Sequence, residues 1–145
     1  MFKHLLLPTD GSAASEVAIG KVMALAKESG ARVTGLHVIQ PFHVFGYDVE
    51  MIESTNVTYM AQAQARAERY LKSIDKAAKE SAVPCETQVV THEHPYEAII
   101  STAKAGGCDL IVMCSHGRSG MKGLLLGSET QKVLAHSTLP VLVLR

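Results

Sequence analysis

The chain has 145 residues, 47% of them hydrophobic and 19% charged, a composition that predicts one globular domain over residues 1–145 rather than a disordered chain. Lys and Arg together number 14, as do Asp and Glu, so there is no overall basic field of the kind that coats nucleic acid. No apolar run reaches the length of a membrane span, and the three cysteines lack the spacing of a disulfide framework. We therefore expect a cytoplasmic protein with reduced thiols.

Strands and helices alternate along the first half of the chain. An apolar run over residues 2–9 predicts a strand that ends in the sequence PTDG. Apolar residues at helical spacing then predict a helix over residues 12–29, with Gly30 at the position of a C-terminal cap. A second strand is predicted over Arg32–Ile39, and an irregular stretch over residues 40–56 follows it.

The second half continues the alternation. A sequence rich in alanine and glutamine predicts a long helix over about residues 57–81. The remaining elements are a strand, a helix that starts at a proline, a strand, a helix and a last strand, predicted at Cys85–Thr91, Pro95–Ala105, residues 110–115, Ser128–His136 and Val141–Leu144.

Helices that alternate with strands apolar on both faces predict an α/β fold with a parallel five-stranded sheet covered on both sides, a doubly wound three-layer sandwich. In such sheets ligands bind beyond the carboxyl ends of the strands, where the winding direction reverses. The loops after the first and fourth strands carry the specialised sequences PTDGS and SHGRSGMKGLLLGS. We therefore predict a ligand cleft between these two loops.

The loop after the fourth strand has the composition of an anion site. Four of the 11 glycines lie between residues 114 and 130, where they would let backbone amides approach phosphate oxygens. The helix predicted from Ser128 offers free N–H groups, Ser128 with Gln131 matches a capping box, and Arg118 and Lys122 add positive charge. The fingerprints GxxxxGK[ST] and GxGxxG are absent. These residues alone leave two alternatives open, a phosphate cradle or a glycine-rich surface connection.

The sequence IVMCSHGRSGMKGLLLGS, residues 111–128, resembles the signature of the universal stress protein family, whose nucleotide-binding branch has the pattern G-x2-G-x9-G-[ST]. Gly117, Gly127 and Ser128 fall in register with this pattern, and Cys114 occupies its first glycine position. The segments LLLPTDGS, LHVI, HPYEAI and PVLVLR extend the resemblance across the chain. The resemblance implies a universal stress protein domain with an adenine-nucleotide-alpha-hydrolase-like fold and the strand order 3-2-1-4-5.

The resemblance also implies a function, that of a stress-response regulatory protein that binds ATP or another adenine nucleotide, with Mg or Mn carried by the phosphates. The base would lie near Asp10 and the backbone of Val38, and the phosphates near Gly117, Gly127 and Ser128. No catalytic residue and no protein ligand to a metal is assigned. The nucleotide-binding residues expected from the resemblance are Pro8, Thr9, Asp10, Val38, Met113, Cys114, Gly117, Arg118, Gly127 and Ser128.

Several residues keep a second interpretation. Asp10 could contact adenine, cap the first helix together with Ser12, or do both. Cys114 would strain the backbone if its position needs a positive φ, whereas it would be tolerated if only a close ligand approach matters. A lowered pKa would instead make Cys114 a redox sensor. His92 and His94 resemble a fragment of a metal site, although a solvated loop is the commoner setting for such a pair.

The last strand, Val141–Leu144, is apolar on both faces and is expected at an edge of the sheet. Open backbone groups at an edge favour pairing with the same strand of a second copy, which gives a homodimer, and universal stress proteins are similar in this respect. A protein partner of unspecified identity is also expected, whereas binding to nucleic acid or to a membrane is not.

Two alternative functions stay open: a slow ATP hydrolase that uses the same cleft, and an interaction module that binds no nucleotide.

Overall fold

The computed structural model of the protein describes residues 1–43, 49–115 and 126–145, and the side chains of α2 from residue 53 onward. Five strands alternate with four helices in these ranges, and none of the described helices is long and apolar enough to cross a membrane. The elements in chain order are β1 (His4–Pro8), α1 (Ala13–Ser29), β2 (Arg32–Ile39), α2 (Val49–Ser81), β3 (Cys85–Thr91), α3 (Pro95–Ala105), β4 (Leu110–Cys114), α4 (Ser128–His136) and β5 (Val141–Leu144).

The five strands form one parallel sheet in the order β3-β2-β1-β4-β5, which confirms the predicted topology. Helices α1 and α2 pack together on one face of the sheet, and α3 and α4 pack together on the other. The winding reverses at β1, because β2 and β3 lie on one side of it and β4 and β5 on the other.

The apolar run of β1 explains its central place. Leu5 and Leu7 are buried beneath α1 and α2, while Leu6 is buried beneath α3 and α4. Side chains alternate between the faces of a strand, so a strand covered on both faces needs an unbroken apolar run. Each buried leucine contributes about 2 kcal/mol of transfer free energy.

Helix α1 begins and ends as its sequence predicts. Ser12 is its N-cap, with a side chain that accepts a hydrogen bond of 3.2 Å from Ser15 N. Gly30 ends the helix in the left-handed conformation, at φ 63° and ψ 33°, and its N–H bonds back to the last turn.

Helix α2 differs from the prediction, since it begins at Val49 and not near residue 57. Residues 49–56 include β-branched residues, Ser and Asn, which have weak helix propensity and concealed this first part of the helix. Within the helix the Thr58 hydroxyl donates to Ser54 O at 3.1 Å, so this polar side chain is satisfied by the helix backbone itself.

A chain of hydrogen-bonded polar side chains runs across β1, β2 and β3 at the edge of the sheet opposite the strand carboxyl ends. His4 is 3% exposed, and its Nε2 lies 2.7 Å from Thr34 Oγ1, which donates its only hydrogen to Glu86 Oε1 at 3.0 Å. His4 Nε2 must therefore be the donor to Thr34. Nδ1 of the same ring is buried and has no hydrogen-bond partner within the described part of the chain.

The His4→Leu substitution is expected to flatten the pH dependence of the free energy of unfolding on the acid side of neutrality. Burial and the charge of Arg32 lower the pKa of His4 from its ordinary value of 6.5, against the opposing charges of Glu86 and Asp109. The unfolded chain then binds a proton that the folded chain does not, so stability falls as the pH drops below about 6.5 toward the folded-state pKa. Urea unfolding at about pH 8 and about pH 5.5 measures the difference.

The matched control is His136→Leu, which changes an exposed histidine in the last turn of α4 and should leave this pH dependence as it is in the parent protein. An acid-side slope that is the same in His4→Leu and in the parent would contradict the role given to His4.

Candidate functional site

A cleft of about 490 Å³ lies at the carboxyl ends of the strands, where the winding of the sheet reverses. Its walls come from the ends of β1, β2 and β4, from one face of α2, and from the starts of α3 and α4. Gly117 and Arg118 lie outside the described residues, as do His116 and Lys122. The eight remaining residues predicted to bind nucleotide all line this cleft: Pro8, Thr9, Asp10, Val38, Met113, Cys114, Gly127 and Ser128.

The loop after β1 is held by backbone and side-chain hydrogen bonds. Thr9 N donates to Leu36 O at 2.8 Å, which continues the β1–β2 pairing by one residue. Asp10 Oδ1 accepts hydrogen bonds from Ser12 N at 2.9 Å and from the Ser15 hydroxyl at 2.8 Å. Asp10 therefore helps to cap α1 while it lines the cleft, so the capping interpretation is confirmed and the contact with adenine stays a prediction.

The opposite wall is fixed by the start of α4. Thr130 is 4% exposed and its hydroxyl donates to Cys114 O at 2.7 Å, while Gly127 N donates to Ser115 O at 2.6 Å. These two bonds attach α4 to the end of β4. The first N–H groups of a helix have no partner within the helix, so the α4 start presents donors and a positive dipole end at this wall.

The capping box predicted for Ser128 and Gln131 is wrong. The N-cap of α4 is Gly127, which makes no side-chain bond, and Ser128 is the first residue inside the helix. The Gln131 amide does not return to Ser128 because it donates to Leu126 O at 2.7 Å. The Gln131 side chain thus binds the backbone of Leu126, which precedes the N-cap of α4.

Cys114 adopts an ordinary strand conformation in β4 and pairs with Leu144 of β5. Among the described residues other than glycine only Ala82 has a positive φ, so Cys114 is not strained and the alternative in which cysteine is tolerated at this position holds for the backbone. Burial raises the pKa of the Cys114 thiol and the Asp10 carboxylate raises it further, against a hydrogen bond with Ser15. A raised pKa disfavours the thiolate that a redox sensor needs, so it does not support the redox-sensor interpretation.

The α2 wall was not predicted from the sequence. Ala63, Arg66 and Tyr70 line the cleft from positions i, i+3 and i+7, one face of the helix. Arg66 is half-buried and brings a guanidinium to the cleft, and within the described residues it forms no ion pair. The i, i+3, i+7 spacing shows that these three residues share one face of a helix. It does not show that this face lines a cleft and not the solvent, so the sequence could not identify them as site residues.

His37 is a second residue of the cleft that sequence reasoning missed. Its Nδ1 lies 2.8 Å from Thr9 O, and its ring packs edge-on against Tyr70 with 5.2 Å between ring centroids. The segment LHVI carries part of the resemblance to the family, but that resemblance places only Val38 of this segment in the site.

Glu129 lines the cleft at the start of α4, and Phe42 contacts Tyr59, another lining residue. Glu129 Oε2 accepts a 2.9 Å hydrogen bond from Tyr96 N at the start of α3, and its Oε1 lies 3.3 Å from Lys132 Nζ. Phe42 packs on Tyr59 with ring centroids 5.0 Å apart. Glu129 thus joins the starts of α3 and α4, and its negative charge is partly compensated by Lys132.

The histidine pair outside the cleft has ordinary surface surroundings. His92 Nε2 is 3.8 Å from Glu97 Oε2, and His92 Nδ1 accepts a hydrogen bond from His94 N at 2.9 Å. Within the described ranges there is no group of three side chains that could hold a metal ion.

The comparisons with known proteins agree with this architecture. The family model for universal stress proteins matches residues 1–145. The chain belongs to the universal stress protein family. A universal stress protein of Thermus aquaticus is 33% identical over the whole of both chains, and universal stress protein YxiE of Bacillus subtilis is 32% identical, again over the whole of both.

The solved structures support the same assignment. The structure of universal stress protein MJ0577 of Methanocaldococcus jannaschii has a TM-score of 0.84 to this chain at 31% identity. The superposition covers 99% of this chain and 96% of that one. The sheet and both helix layers of this universal stress protein therefore superpose on those of a relative whose structure has been solved.

Gly11→Ala is expected to destabilise the protein by about 2 kcal/mol or more. Gly11 has φ +74°, and a Cβ built on it overlaps the Tyr70 ring that packs against His37. The free energy of unfolding in urea measures the loss. The matched control is Gly20→Ala within α1, where the added methyl meets open space and should stabilise the protein by about 0.5–1 kcal/mol. Equal stability of the two variants would contradict the close packing of Gly11 on Tyr70.

Proposed function

We propose that the protein binds an adenine nucleotide, ATP or a close relative, in the cleft and acts as a stress-response regulatory protein. The observation that carries the proposal is the convergence of eight predicted nucleotide-binding residues, from β1, β2, β4 and the start of α4, on one cavity of about 490 Å³. These residues come from four separate parts of the sequence, and a cavity of this volume is within the range of small-molecule sites.

Two structures with the same fold support adenine nucleotides as the ligand class. One is a universal stress protein in complex with cAMP, with a TM-score of 0.72 at 24% identity to this chain. The other is the universal stress protein of Archaeoglobus fulgidus in complex with dAMP, with a TM-score of 0.63 at 16% identity. Both ligands join adenine to a phosphate group, which is the combination proposed here.

The charges of the cleft suit a ligand with both a base and a phosphate. Asp10 provides carboxylate acceptors near the ends of β1 and β2, while Arg66 and the start of α4 provide positive potential. With no cluster of three metal-ligating side chains in the described ranges, Mg or Mn is proposed to be held through the nucleotide phosphates.

The test is to denature protein purified from cells, identify any released nucleotide by mass spectrometry, and titrate the nucleotide-free protein with ATP and magnesium by calorimetry. We expect an adenine nucleotide and measurable binding.

Gly127→Val should weaken binding by roughly tenfold or more, because a branched side chain would stand between the ligand and the first amides of α4. Gly127 has φ −56° and ψ 149°, a conformation open to valine, so the circular dichroism spectrum should be unchanged.

Gly20→Ala is the control for binding. Gly20 does not line the cleft and a methyl group added to it meets open space, so this variant should titrate like the parent protein. Failure to find released nucleotide, together with no heat on titration, would contradict the proposal. Phosphate released in molar excess over the protein would instead support the hydrolase alternative.

We further propose that two copies pair through β5. This strand is the last of the sheet, and Ile111 N and Ser115 N of the β4 side donate to Pro140 O at 3.0 Å and Leu144 O at 2.8 Å. Backbone groups alternate in direction along a strand, so those of Val141 and Val143 face away from β4. An unpaired row of such groups on an apolar strand favours pairing with a second β5.

Val143→Pro is expected to convert a dimer into a monomer, because it removes an outward N–H and leaves the hydrogen bonds between β4 and β5 in place. Light scattering after size exclusion measures the mass against the 15.6 kDa of one chain. Val143→Ala keeps the N–H and should remain dimeric. A parent protein that is monomeric at every concentration, or a dimer unaffected by Val143→Pro, would contradict the pairing.

A further inference from the structure

The His37 ring has a fixed tautomer in this structure. Its Nδ1 lies 2.8 Å from the carbonyl oxygen of Thr9, and a carbonyl oxygen only accepts hydrogen bonds. Nδ1 therefore carries the proton and donates. In the neutral ring the other nitrogen, Nε2, is then an acceptor with a free lone pair.

The packing around His37 keeps the ring in this orientation. Tyr70 contacts it edge-on, at 5.2 Å between ring centroids and 70° between ring planes. Tyr70 is itself placed by Gly11, whose missing side chain leaves the space that the Tyr70 ring fills. The ring of His37 is thus held between the backbone of β1 and a side chain of α2.

Nε2 of His37 is available to a ligand. His37 is half-buried and lines the cleft, and no residue in the described ranges donates a hydrogen bond to its Nε2. Its position at the end of β2, beside the end of β1, puts this acceptor in the part of the cleft that also contains Asp10. At Nε2 the wall therefore offers an acceptor, which a hydrogen-bond donor of the bound molecule would complement.

We propose that His37 Nε2 accepts a hydrogen bond from an N–H or O–H group of the nucleoside part of the bound nucleotide, and so determines ligand specificity. This proposal rests on the proposed nucleotide-binding function. Two nucleoside donors have the right chemistry, the 6-amino group of adenine and a ribose hydroxyl. A 6-oxo base would instead present an oxygen lone pair to Nε2, and a site left with two opposed acceptors binds weakly.

Two substitutions separate the functions of the two ring nitrogens. His37→Asn leaves an amide donor near the Nδ1 position, so the bond to Thr9 O can be kept while the outer acceptor is lost. His37→Gln can place an amide oxygen near the Nε2 position, so an acceptor for the ligand is kept. His136→Asn, at an exposed histidine outside the cleft, is the matched control.

The experiment titrates each variant with ATP, ITP and 2′-deoxy-ATP. We expect the parent to prefer ATP over one of the two analogues by about three- to tenfold, His37→Asn to lose that preference, and His37→Gln to retain part of it. Loss of the preference against ITP identifies the base amino group as the donor, and loss of the preference against 2′-deoxy-ATP identifies the ribose hydroxyl. Identical preferences in the parent and His37→Asn would overturn the proposal.

A second measurement separates failure of this proposal from failure of nucleotide binding. Nitrogen-15 NMR of the ligand-free protein reports which nitrogen of His37 is protonated, and we expect Nδ1–H. A ring protonated on Nε2 alone would overturn the proposal even if ATP binds. If NMR shows Nδ1–H but no nucleotide of the three binds the parent, the proposed function is wrong and the specificity role of His37 falls with it.

Discussion

The central position of β1 is the constraint on which the rest of the structure depends. Leu5, Leu6 and Leu7 are buried on both faces, so β1 must be flanked by β2 and β4 and covered by both helix layers. The chain first adds β2 and β3 on one side of β1 and later adds β4 and β5 on the other side. The connections that follow β1 and β4 therefore diverge from the carboxyl ends of these two strands. The cleft is therefore a consequence of the topology, and its residues are placed there by the apolar core beneath it.

Thr9, the residue that follows β1, fixes the near wall of the cleft through all of its polar groups. Its N–H donates to Leu36 O, its carbonyl oxygen accepts from His37 Nδ1, and its hydroxyl oxygen accepts from Gly11 N at 3.1 Å. Thr9 is 6% exposed, so these bonds are protected from water. A wall fixed in this way before a ligand arrives loses little conformational freedom on binding, which lowers the entropic cost of association.

The parallel sheet could be predicted from alternating helices and apolar strands, and its strand order from the resemblance to the universal stress protein family, whereas features set by tertiary contacts could not be predicted. The first turns of α2 were missed because residues 49–56 include β-branched residues, Ser and Asn, whose weak helix propensity conceals the start of the helix. In the cleft, Gly127, Ser128 and the residues of the PTD turn could be named from the sequence, while Gly117 lies outside the described residues. Arg66 and Tyr70 could not, because they belong to no motif and reach the cleft only through the packing of α2 on β2.

Cys114, at the first glycine position of the pattern that the sequence resembles, is accommodated by its local structure. The residue is extended and paired with β5, so its position makes no demand for the backbone freedom of glycine. Its sulfur lies 3.9 Å from Ala14 O at the start of α1, and the thiol also interacts with Ser15. A small side chain here contacts the beginning of α1, which Asp10 also caps. The Cys114 side chain therefore adds a contact between β4 and α1, while its backbone keeps the extended conformation of β4.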